Sequence, residues 1–87
     1  MKDRFELASH LTYIVGCVAT DLTGEAKFEL SQLIPAVEIS TIDDKEQVLA
    51  KLIEARDLFK SGDYRRAAIS TVSANSLLHN GLHWPED

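Results

Sequence analysis

The chain has 87 residues, 45% of them hydrophobic, and a formal net charge of −5 from 14 acidic and 9 basic side chains. That length predicts one domain, residues 1–87, whose core is thin because a fold this small buries only roughly 60–65% of its unfolded surface. The apolar fraction excludes a disordered chain, and the acidic balance argues against nonspecific binding to nucleic acid or an anionic membrane, which both need basic surface.

The first segment places Phe5, Leu7, Ala8, Leu11, Val15, Val18 and Leu22 at helical spacing, with Ile14 alongside and Asp3 positioned as a cap. Tyr13, Ile14, Val15, Cys17 and Val18 would also suit a strand, but the length of the periodic pattern and the lack of a partner strand favour a helix over 4–20. Gly16 inside it costs about 1 kcal/mol against alanine, which suggests a close helix contact. Thr23-Gly24 then marks a break, and Thr23 is placed to cap a second helix over 24–34. Phe28, Leu30, Leu33, Ile34 and Val37 supply its apolar positions. Pro35 lacks an amide hydrogen, so the helix should end or kink near Ile34 and give way to an extended linker.

Thr41 or Asp43 caps a third helix over 43–60, and acidic residues at its start suit the positive end of its dipole. Val48, Leu49, Leu52, Ile53, Ala55 and Phe59 repeat every three or four residues there. Ser61-Gly62-Asp63 breaks the pattern: Gly62 suits a left-handed helix end, and Asp63 caps the fourth helix over 64–79. Tyr64, Ala67, Ala68, Thr71, Val72, Asn75 and Leu78 continue the period with smaller side chains, so a large stripe faces a small one across a helical hairpin. Short connections make neighbours antiparallel. The fold class is all-α, a small up-down four-helix bundle built around the C-terminal hairpin. Its predicted core is Leu7, Leu11, Val15, Val18, Phe28, Leu33, Leu49, Leu52, Ile53, Phe59, Ala68, Val72 and Leu78.

The chemistry-bearing residues are few. His79 and His83 have metal-ligand spacing, but Asn80-Gly81 is a helix stop and no third ligand follows nearby. His10, on the first helix, is the candidate for a phosphotransfer histidine. Thr12 and Tyr13 occupy the positions where such domains carry lysine and glycine, so a half-buried, hydrogen-bonded histidine is the expectation. Ser70, Thr71, Ser73 and Ser76 have no Asp-His arrangement to activate them and read as close-packing positions bonded to the preceding turn. No catalytic residue, metal ligand or cofactor is predicted.

Tyr64-Arg65-Arg66, close to Lys60, forms the basic cluster, and Trp84 lies beyond the last helix. Tyrosine, tryptophan and arginine are favoured anchors at interfaces, so Tyr64, Arg65, Arg66 and Trp84 are the candidate partner-binding residues. The lone cysteine, Cys17, excludes an internal disulfide, no apolar run approaches the ~18 residues of a membrane span, and the N-terminus lacks a signal-peptide pattern. These readings point to a cytoplasmic protein with no membrane and no nucleic-acid partner.

Ala55 to Ala68, with Gly62-Asp63-Tyr64 at its centre, resembles the helix–Gly-Asp-Tyr–helix hairpins of tetratricopeptide repeats, microtubule-interacting-and-transport domains and HEPN domains. It is also similar to the C-terminal hairpin of small uncharacterised archaeal helical proteins. The resemblance spans residues 48–79 and implies a helical hairpin. The HEPN ribonuclease activity needs an arginine and a histidine about four to six residues apart on one helix, whereas the nearest histidine after Arg66 is His79. A tetratricopeptide array stacks at least about three units, more than this chain holds.

The functional expectation is a non-catalytic protein–protein interaction module, a regulator, adaptor or inhibitor. The alternative is an accessory subunit or enzyme using His10, His79 or His83 for metal or phosphate. A thin core also predicts a homodimer in which Ala67, Ala74 and Leu77 meet Tyr13, Ile14 and Cys17.

Overall fold

The computed structural model describes residues 3–80. Four helices fill that span: α1 (Arg4–Ala19), α2 (Thr23–Glu38), α3 (Lys45–Ser61) and α4 (Tyr64–Asn80). Each helix packs on its neighbours in the chain, and α4 closes the ring against α1. The architecture is the expected all-α four-helix bundle. The most extensive contact is the α3–α4 hairpin; Val48, Leu52 and Phe59 of α3 and Ala67, Thr71 and Ala74 of α4 are all buried.

The turns explain why the helices stop where they do. Gly62 adopts φ 85°, the Asp63 amide donates to the Leu58 carbonyl (2.9 Å), and the Gly62 amide donates to Phe59 (3.2 Å). This left-handed cap satisfies the last carbonyls of α3. The Asp63 carboxylate then accepts from the Arg66 amide (3.3 Å) and caps α4. The α1–α2 corner uses the same device on a less suitable residue. Asp21 sits at φ 62°, with the Leu22 amide donating to Cys17 (2.8 Å) and the Asp21 amide to Val18 (3.2 Å). Aspartate tolerates this conformation better than most residues, but not without cost.

Several expectations are corrected. α2 runs through Pro35 to Glu38, so Val37 and Glu38 are helical and not part of a linker. Pro35 is exposed, and the turn beyond it buries Val37 completely, which offsets the lost amide. Thr23 is the first residue of α2 and does not cap it; Leu22 holds that position without a side-chain bond. Asp44, and neither Thr41 nor Asp43, precedes α3, and its carboxylate is turned to Arg4 instead of the helix amides.

The buried faces of α1 and α4 are also rotated from the expected ones. In α1, Leu7, Ala8, Leu11, Ile14 and Cys17 are buried, with Val15 and Val18 at the flank. In α4, the buried set is Ala67, Ser70, Thr71, Ala74 and Leu78; Ala68 is half-buried and Val72 is exposed. Phe28 (58% exposed) and Ile53 also leave the predicted core, because Leu30, Leu33 and Val37 define the inner face of α2, and Val48, Leu52, Ala55 and Phe59 that of α3. Ile14, Cys17, Ala67 and Ala74, four of the six residues assigned to a dimer contact, are inside the protomer. A Cβ at Gly16 would meet nothing within 4 Å, so this glycine does not mark a close approach. The Thr71 hydroxyl does bond back to the preceding turn, at the Ala67 carbonyl (2.8 Å).

Candidate functional site

At the end of the bundle where α2 begins and α3 finishes, the two helices flank a groove of ≈ 190 Å³. Lys27, Leu30 and Ser31 line it from α2, and Arg56, Phe59 and Lys60 from α3. The spacing is the same on both walls, i, i+3 and i+4, which puts three side chains of each helix on one strip of surface. Leu30 and Phe59 are core residues that form the floor. The aliphatic stems of Lys27, Arg56 and Lys60 form apolar walls and lift their charges to the rim.

Tyr64 sits beside this groove. Its ring centroid lies 6.1 Å from that of Phe59, at an interplanar angle of 42°, and Lys27 Nζ lies 5.8 Å from the Tyr64 centroid. Tyr64 is 46% exposed, so its ring joins the floor residue to the rim cation while the residue stays accessible to solvent. The Ser31 hydroxyl is held by the Phe28 carbonyl (2.6 Å). Arg56 Nε contacts Asp57 Oδ1 at 3.3 Å in an exposed pair. Among the described residues, neither Lys27 nor Lys60 pairs with a carboxylate.

The residues predicted for partner binding are thus only partly gathered. Tyr64 is at the groove edge; Arg65 and Arg66 are exposed on the first turn of α4, with Arg66 Nη1 3.7 Å from Asp63 Oδ2. Trp84 lies outside the described residues. Lys27, Leu30, Ser31 and Arg56 were missed by sequence reasoning. The signal was present in the repeated cation–apolar spacing of two helices expected to be antiparallel.

The two described histidines, His10 and His79, lie on different helices, α1 and α4. His10 Nε2 lies 2.9 Å from Glu29 Oε2, half-buried between α1 and α2 as expected. His79 Nδ1 lies 2.9 Å from the Asn75 carbonyl one turn back; His83 is outside the described residues. No cluster of three or more metal-ligating side chains occurs among the described residues. Near His10, hydrogen bonding with the Cys17 thiol and then with Glu25 raises the Tyr13 phenol to about 12, with the hydroxyl 3.2 Å from Glu25 Oε1. Cys17 itself is buried. No described helix is long and apolar enough to cross a membrane.

Comparisons with protein-family models, curated proteins and solved structures found no match to this chain.

Proposed function

We propose that this chain is a non-catalytic protein–protein interaction module, a small regulator, adaptor or inhibitor that presents the α2–α3 groove and Tyr64 to another protein. The observation that carries the reading is the juxtaposition of an exposed aromatic ring, an apolar groove and two lysines without a carboxylate partner among the described residues, at one end of a bundle with net charge −5. Aromatic and basic side chains around an apolar depression are what interface anchors are made of. The resemblance of residues 48–79 to interaction hairpins of the tetratricopeptide kind is compatible with this role.

The reading includes a cytoplasmic location, with which a single buried cysteine, Cys17, agrees. Self-association belongs to it as well, through the outward Phe5, Ile69 and Val72 of α1 and α4 in place of the buried faces first assigned. Affinity capture from the native host with the full chain should retain a stoichiometric partner. A contrary outcome is no partner together with stoichiometric zinc or iron that is lost in His79→Ala, which would favour a histidine-based accessory subunit or enzyme.

A further inference from the structure

Resting on the interaction reading, we infer that the α2–α3 groove is an anchor pocket for one large apolar side chain of a partner protein, flanked in that partner by carboxylates. Size comes first. Small-molecule and cofactor sites generally span about 300–1,000 Å³, and this groove offers ≈ 190 Å³. A cavity of roughly 150 Å³ already admits a benzene ring. The space therefore suits one phenyl or isobutyl group and is too small for a drug-sized ligand or the long tail of a lipid.

Charge then selects what surrounds that group. Lys27, Arg56 and Lys60 bring three of the chain's nine basic residues to one rim. An acidic segment approaching a molecule of net charge −5 is repelled by most of its surface and attracted here, which orients the encounter. The cations are also available. Lys27 rests over the Tyr64 ring but, like Lys60, has no carboxylate partner among the described residues, and the Arg56–Asp57 contact is exposed and easily exchanged. A carboxylate from a partner would meet donors that need no rearrangement of the fold.

The test is an amide-resolved NMR titration of the full chain with acetyl-Glu-Phe-Glu-amide. Acetyl-Glu-Ala-Glu-amide, acetyl-Lys-Phe-Lys-amide and octanoate serve as comparisons. The expected result is saturable shifts at Leu30, Ser31, Phe59 and Lys60, at least about fivefold weaker with either comparison peptide and in Lys27→Glu/Lys60→Glu, whose positions are exposed. Equal binding of the lysine peptide, or no saturable shift in the groove, overturns the proposal. Octanoate binding more tightly than the glutamate peptide overturns the peptide source in favour of a fatty-acid site. Shifts confined to another face overturn the groove but leave the interaction reading, which the capture experiment tests separately.

Discussion

The two ends of the bundle employ basic side chains in opposite ways. At the end where α1 and α3 begin and α4 finishes, Arg4 is only 17% exposed and Asp44 23%. Arg4 makes a two-pronged bond to Asp44 (2.8 and 2.7 Å) and donates to the carbonyls of Leu77 (2.9 Å) and Leu78 (3.0 Å). One guanidinium thus ties α1 to the start of α3 and caps the last turn of α4. At the other end, Lys27 and Lys60 stand at the rim of an apolar groove without carboxylate partners among the described residues. A cation with four hydrogen bonds inside the protein holds the fold. One that is left at a rim is available to something else.

The contrast can be broken most sharply at Arg4. Arg4→Ala leaves the part-buried Asp44 carboxylate and two helix-end carbonyls without their donor, so urea unfolding should show a loss of about 2–4 kcal/mol. Arg4→Lys should recover only part of it, because an ammonium cannot reproduce the planar fork. A loss below about 0.5 kcal/mol would make the Arg4 end an ordinary surface ion pair.

The same pair predicts an acid dependence. The hydrogen bond from Arg4 holds the Asp44 carboxyl below its usual range and raises the Arg4 guanidinium. Asp44 is therefore a depressed acid. Its contribution is fully present above the unfolded value of about 4 and is lost as pH falls through the lower folded value. Stability measured from neutral pH downward should fall more steeply in the native chain than in Asp44→Asn. Equal slopes would contradict the assignment.

Smaller effects come from the backbone. Asp21→Gly relieves a left-handed non-glycine residue and should stabilise the α1–α2 corner by about 1 kcal/mol. Gly16→Ala, where a Cβ meets nothing, should add up to about 1 kcal/mol of helix propensity. Loss of stability in Gly16→Ala would restore the close packing first inferred there. The smallest effect belongs to the groove: Lys27→Glu/Lys60→Glu should change the unfolding free energy measured in urea by no more than about 0.5 kcal/mol.

These differences also show what the residue order conveys. The helices and the Gly62 turn were legible because periodic apolar positions and cap chemistry are local. Helix phase was less so. Ile14 beside Val15, Cys17 beside Val18 and Ala67 beside Ala68 offer two neighbouring stripes of similar apolarity. The choice is made by which two helices lie alongside, a tertiary fact. The same reason hid the turn after Pro35, which exists because Val37 has a core to enter. Tyr64 and Lys60 were found because they adjoin in sequence. Lys27 and Arg56 were not, because only the α2–α3 packing brings them to the same rim. Arg4 gave no local sign, since its acceptors lie 40 and more residues away.

The most direct test of the division between a structural and a binding end is affinity capture from native extract with Lys27→Glu/Lys60→Glu, its urea midpoint measured on the same preparation. The account predicts that the partner retained by the native chain is lost while the midpoint stays in place. Undiminished capture, or a midpoint that falls as far as in Arg4→Ala, would contradict it.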